Sequence, residues 1–166
     1  GLHLAISQQR IPAASIDPTI KNYHWLDLVM GQFEAYDRGA QTAAVVDAKG
    51  NIKEGPGFNI FMIKDSQLRT AAEGVLQGIT RKTTIELAQQ LGLSIEFGEV
   101  SAEAFRNADE AFATSTAGGI MAITQIDEKI IGTGQIGPLT LQLKGAYWAM
   151  HKQPKYAIEV VYEQGP

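Results

Sequence analysis

The sequence predicts an α+β fold, an irregular α/β arrangement and not a doubly wound sheet. Three observations carry this expectation. Strand-like and helix-like stretches are mixed without strict alternation. The opening residues Leu2, Leu4 and Ile6 alternate with His3, Ala5 and Ser7 in the period of a half-buried strand. Two later segments instead carry apolar residues at helical spacing: Leu26, Val29, Met30 and Phe33 in one, Ile79, Leu87 and Leu91 in the other. With 166 residues, 45% hydrophobic and 19% charged, the chain has the composition of one folded domain with a real core.

Taken in order, the elements follow from local chemistry. Because the chain opens on Gly1 and at once reads as strand, part of the protein is expected upstream; a tag remnant joined to a complete domain is the alternative. Ser15 to Ile20 reads as an irregular lead-in, since Pro18 biases Asp17 toward extended geometry. A helix is predicted over 23–38, capped by Asn22 and stopped by Gly39. Thr42 to Asp47 is a strand, 47–51 a hairpin turn, and Ile52 to Glu54 the return. Phe58 to Lys64 and Gln67 to Thr70 complete an antiparallel meander. A helix over 79–91 ends at Gly92. A strand over 93–97, a short helix over 102–107 capped by Ser101 and a strand over 110–115 follow. Ile120 to Ile126 pairs with Lys129 to Ile131, and a helix from 138 to about 151 and a strand over 157–162 close the chain.

Charge and composition exclude several classes of function. The net charge is −4 and no stripe of Lys or Arg exists, so neither nucleic acid nor an anionic membrane surface is the expected partner. A small organic ligand fits better. There is no cysteine, hence no disulfide framework, thiolate metal site or Cys nucleophile. That is compatible with a reducing compartment, and a cytoplasmic location is expected. The apolar runs fall well short of the roughly 20 residues a membrane helix needs. His3, His24 and His151 lie far apart without carboxylates at ligand spacing, so no metal centre is expected.

The stretch with chemical content runs from Glu54 to Thr80 and is read together with Lys21. Glu54-Gly55-Pro56-Gly57-Phe58-Asn59 places a carboxylate before a glycine-rich turn, and Gly78-Ile79-Thr80 opens a helix. Glycines let the main chain approach a ligand closely, and a helix start offers N–H groups to an anion. A carboxylate can pair with a protonated ring nitrogen. These parts suit a ligand with a ring and a phosphate. Lys21, just ahead of a predicted helix start, is either a solvated lysine or a nucleophilic amine whose ammonium form is disfavoured by the helix dipole. Ser115-Thr116-Ala117-Gly118-Gly119 adds two hydroxyls and two flexible residues. Gly132-Thr133-Gly134-Gln135-Ile136-Gly137 matches the dinucleotide fingerprint, with Glu159 beyond it. It is rejected as a nicotinamide site, because Pro138 removes an N–H from the helix start and the preceding strand is a hairpin return.

The segments Lys21-Asn22-Tyr23-His24-Trp25, Glu54 to Asn59, Gly74 to Arg81, Ser115 to Gly119 and Gly137-Pro138 together resemble the fold-type IV pyridoxal-phosphate (PLP) transaminases. The resemblance runs from about Arg10 to Tyr162. It implies the large C-terminal domain of the D-amino-acid-aminotransferase-like fold, a mixed sheet or pseudo-barrel with packed helices. It implies that Lys21 forms the Schiff base with PLP and Glu54 pairs with the pyridine nitrogen. Leu76 would pack on the ring, and Ile79, Thr80 and Thr116 would hold the phosphate; Asn59, Gly78 and Ser115 complete the cofactor set. The wording around Lys21 and Glu54 is closest to the (R)-selective amine transaminases. Family members usually carry Thr-Pro where this chain has Thr70-Ala71.

The resemblance further implies amine or amino-acid and keto-acid substrates, a homodimer, and a smaller N-terminal domain not present in this sequence. Two other readings stay open: a PLP lyase of the aminodeoxychorismate type, and a truncated domain without catalysis.

Overall fold

The computed structural model describes residues 1–10 and 17–162. Ser15 and Ile16 of the expected lead-in therefore lie outside the described residues. Among the described residues, nine strands form one sheet: β1 (Leu2–Arg10), β2 (Thr42–Val46), β3 (Glu54–Gly55), β4 (Phe58–Lys64), β5 (Gln67–Ala71), β6 (Ile95–Gly98), β7 (Glu110–Ser115), β8 (Gly119–Ile126) and β9 (Lys129–Ile130). Four helices accompany them: α1 (Leu26–Asp37), α2 (Ile79–Gln90), α3 (Ala102–Arg106) and α4 (Pro138–Met150).

The main path of the sheet runs β2-β1-β8-β7-β4-β5-β6, with β3 added to β4 and β9 to β8. It is mixed. β1 is parallel to both β2 and β8, and β5 is parallel to β6, while the remaining ladders are antiparallel. The free edge of β2 meets the chain again through an antiparallel bridge from Val46 to Ile52 and a 3.0 Å bond from Lys53 N–H to the Val45 carbonyl. Two residues later that return becomes β3, which pairs with β4. The sheet thereby curls back on itself, and the expected pseudo-barrel is present.

Period-two alternation sorts the core into the two faces of this curled sheet. Leu4, Ile6, Ala44, Val46, Ile60, Met62, Ala111, Ala113 and Ile123 point inward with Phe105 of α3. Their alternates Phe61, Ile63 and Phe112 point outward and are covered by Leu87 of α2 and Leu143 and Tyr147 of α4. The rings of Phe61 and Phe112 stack at 5.0 Å, a pair that contributes about 1 kcal/mol beyond its buried area. On β1 and β2 the outward alternates Ala5 and Ala43 take Ala35 of α1. Small residues make that approach close: a Cβ on Gly31 would lie 3.2 Å from both Ser7 Oγ and Val45 Cγ1.

Four expectations are corrected. First, the helix expected over 23–38 starts at Leu26, with Trp25 as its N-cap. Asn22 spends its side chain one turn earlier, accepting from His24 N–H at 2.8 Å and donating to the Ile20 carbonyl. Second, the apolar row of α1, Leu26, Val29, Met30 and Phe33, is exposed, and the row of α2 is split, with Leu87 buried in the core and Ile79 at the helix start 82% exposed. The helices seat instead through Gly31 and Ala35, and through Thr80, Thr84, Leu87 and Ala88. Third, β2 ladders with β1, and the predicted hairpin is a short one, held by the Val46–Ile52 bridge and by the Asp47 and Lys53 N–H groups bonding to the Asn51 and Val45 carbonyls. Fourth, residues 157–162 form no strand; Ile158, Val160, Val161 and Tyr162 are exposed, with no ladder to satisfy them.

The fingerprint loop ends at a helix start that is already occupied. Glu110, buried at the head of β7, accepts the N–H groups of Leu139 and Thr140 at 3.1 and 2.7 Å. Its carboxylate supplies the negative charge that the N-terminus of α4 favours, and it leaves no room for a pyrophosphate there. Replacing Glu110 with Ala strands the buried Thr140 N–H and the partly buried Leu139 N–H. Glu110→Ala should therefore lose about 1–3 kcal/mol of unfolding free energy in urea titrations, with Glu110→Gln losing less.

Candidate functional site

A cavity of about 450 Å³ opens where the lead-in to α1, the β3–β4 turn, the loop into α2 and the end of β7 converge. Its size falls within the roughly 300–1,000 Å³ typical of cofactor and small-molecule sites. Every residue of the cofactor set implied by the resemblance lines it: Lys21, Glu54, Asn59, Leu76, Gly78, Ile79, Thr80, Ser115 and Thr116.

The hairpin from Glu54 to Asn59 builds one wall. Glu54 pairs with Asn59 and Gly55 with Phe58, so Pro56 and Gly57 form a tight turn. Gly57 has a φ of +84°, the left-handed value that follows proline in a type II turn. Gly55 is needed for closeness, since a Cβ there would lie 2.5 Å from the Ala43 carbonyl oxygen. The hairpin directs the Glu54 side chain toward the cavity wall. Glu54 Oε2 accepts the Leu76 N–H at 3.1 Å, with Asn59 Nδ2 farther off at 3.4 Å. Asn59 Nδ2 also donates to the Leu76 carbonyl at 2.8 Å. Leu76 is thus gripped through both of its main-chain polar groups.

Burial dominates the electrostatics of Glu54. Desolvation pushes its pKa up to about 7, while the Leu76 N–H and the positive charge of Lys21 pull the other way. A carboxyl poised near neutrality can share a proton with a basic ring nitrogen brought beside it. Lys21 does not match the expected pre-helical position: it is exposed, and the Asn22–Trp25 turn separates it from the start of α1. Its Nζ lies 5.8 Å from the Trp25 ring centroid, and its charge is felt by Glu54 in the same cavity.

The second wall is the start of α2. Gly78 is the N-cap and no side chain caps the helix, so the orphan N–H groups of its first turn remain open at the cavity that Gly78, Ile79 and Thr80 line. Gly78 has ordinary extended geometry; it is required because a Cβ would collide with Asn59 Oδ1. Arg81 braces the loop from behind. Buried among apolar groups, it donates to Gln77 Oε1 at 2.7 Å and to the Ala71 carbonyl at 2.8 Å, tying both ends of the 71–77 segment to the helix. Ser115 Oγ accepts the Gly118 N–H at 3.0 Å and shapes the turn that carries Thr116.

The lining also holds residues outside the predicted cofactor set, among them Trp25, Gln77 and Thr114. Thr114 had a signal, being the hydroxyl that follows the apolar run Ala111-Phe112-Ala113. Among the described residues, no group of three or more His, Asp or Glu could hold a metal ion, and no helix is long and apolar enough to cross a membrane.

Comparison with known proteins bears on the whole arrangement. Residues 2–126 match the family described as amino-transferase class IV. A branched-chain-amino-acid aminotransferase of Pseudomonas aeruginosa is 36% identical over 76% of this chain and 42% of its own length. That of Escherichia coli is 31% identical over 90% of this chain and 50% of its own. The solved branched-chain amino acid aminotransferase from Thermobaculum terrenum, in its PLP-bound holo form, is similar with a TM-score of 0.88 and 32% identity, covering 93% of this chain and 53% of that one. The chain spans about half the length of the curated relatives it matches.

The raised Glu54 has a consequence for stability without ligand. Between pH 4.5 and about 7 the folded chain retains a proton that the unfolded chain has released. The folded state binds more protons there, so stability falls as pH rises through that window. The shift corresponds to about 3 kcal/mol. Urea unfolding below pH 4.5 and above pH 7 should show this loss in the parent chain and not in Glu54→Gln; equal pH dependence of the two would refute it.

Proposed function

The chain belongs to the class IV aminotransferase family, and from that premise we propose that it forms the PLP-binding part of a transaminase that moves an amino group between an amine or amino acid and a keto acid. One observation carries the reading. The amine of Lys21, the carboxyl of Glu54 and the open start of α2 border a single cavity of cofactor size.

The donor set fits the cofactor. The orphan N–H groups of α2 suit a phosphate dianion, and a half-buried carboxyl with a near-neutral pKa suits a pyridine nitrogen. Lys21 would hold the aldehyde end and Glu54 the ring nitrogen. Ile79 and Thr80, with Ser115 and Thr116, would hold the phosphate, while Leu76, Asn59 and Gly78 shape the bed. When bound, PLP supplies an electron sink for the bond broken at the substrate's α-carbon. The remaining tasks fall to the chain. Glu54 keeps a proton at the ring nitrogen, and the Leu76 N–H with Asn59 fixes its orientation. Lys21, on an irregular exposed segment, has the freedom to take a proton at Nζ and return it elsewhere. Trp25 shields one side of that amine.

Within this reading the Lys-Asn-Tyr-His-Trp wording favours an (R)-selective amine as donor, whereas the similar proteins reported above are named for branched-chain amino acids. The exposed apolar row of α1, Leu26, Val29, Met30 and Phe33 beside the cavity mouth, supports a covering partner: a second copy, or a smaller domain of the same protein. A lyase would use the same Lys21 and Glu54 but needs no amino acceptor.

Adding PLP to the parent chain should produce a visible absorbance band, and borohydride should fix the cofactor on the peptide containing Lys21. Lys21→Ala should lose both. A band that survives the substitution would overturn the assignment. Product formation that requires a keto acid identifies a transaminase, and product formation without one identifies a lyase.

A further inference from the structure

Thr114 brings to the cavity a polar group that is left without work. It is 2% exposed, lines the cavity, and its Oγ1 has no hydrogen-bond partner among the described residues. A buried hydroxyl without a partner is unfavourable, and valine would fill the same space without that penalty. The strand register says which face of the sheet the side chain takes. On β7 and β4, Phe112 pairs with Phe61, and one step along the same face Thr114 pairs with Asn59. That face is the one α2 and α4 cover, with Leu87 of α2 packed on the Phe112 and Phe61 row. The row therefore runs beneath α2 toward its start, where Asn59 abuts Gly78. Thr116, two residues beyond Thr114, lies on the same cavity.

We propose that Thr114 donates its hydroxyl to the phosphate of the bound ligand, from the floor of the cavity opposite the open start of α2. This assignment rests on the PLP reading above and adds a residue to it. The hydroxyl gives the phosphate a donor from the sheet, where α2 and the Thr116 turn supply theirs from the rim. It is a binding residue and takes no part in proton transfer.

The test compares the parent chain with Thr114→Val and Thr114→Ser, titrated with PLP and with pyridoxal, which lacks the phosphate, by absorbance and tryptophan fluorescence. Thermal unfolding without ligand is measured alongside. Thr114→Val should melt at or above the parent temperature yet bind PLP about tenfold more weakly, since a hydrogen bond to a charged group is lost. Its affinity for pyridoxal should be unchanged, and Thr114→Ser should bind PLP nearly as the parent does. Equal PLP affinity of parent and Thr114→Val overturns the proposal while leaving the PLP reading intact. Equal weakening toward PLP and pyridoxal places the contact on the ring and overturns the phosphate assignment. A parent chain that binds neither compound overturns the PLP reading itself and this proposal with it.

Discussion

The structure depends on keeping one carboxyl, that of Glu54, in a half-enclosed cavity without a salt-bridge partner in contact among the described residues. Such a group raises its pKa and resists burial, so the surroundings must hold it there. They do so by covalent shortness and by main-chain bonds. A two-residue turn fixes β3 against β4, the return from β2 fixes β3 against the curled sheet, and Leu76 N–H meets the carboxylate. The geometry that makes the site chemically useful is the geometry that makes it locally unfavourable.

Two helix starts in the same chain show how the fold chooses where an anion can bind. α2 begins at Gly78 with no side-chain cap, and its first N–H groups open on the cavity. α4 begins at Gly137 with Pro138 in its first turn, and Glu110 reaches from the sheet to take the Leu139 and Thr140 N–H groups. Both are preceded by glycine-containing sequence. Only the second is closed, and the closure comes from a residue distant in sequence. A fingerprint of glycines is thus compatible with an open or a blocked anion site, and the tertiary neighbour decides between them.

The sites that the sequence made legible are those that are local. Glu54 and Asn59 are cross-strand partners in one hairpin, and Gly78 to Thr80 are consecutive residues at a helix start, so residue order alone nearly defines their geometry. The exposed rows of α1 and Ile79 were misread for the opposite reason. Apolar spacing marks a face of a helix but says nothing of what covers that face, and here small residues do the seating while the large ones remain outside. Thr114 was overlooked because the significance of a hydroxyl on a strand depends on which face it takes. That face is fixed by the pairing of β7 with β4, two strands far apart in the chain.

What the sequence determined by itself was the class of fold and most element positions, because turns, caps and period-two strands are short-range chemistry; the expected cofactor residues came from family resemblance. Only the tertiary structure decided the parallel placement of β1 between β2 and β8, the closure of the sheet through Val46 and Ile52, the unpaired state of residues 157–162, and the exposure of Lys21. Each of these depends on contacts between distant segments, and their free energy is set by what is buried against what. No local pattern encodes that choice.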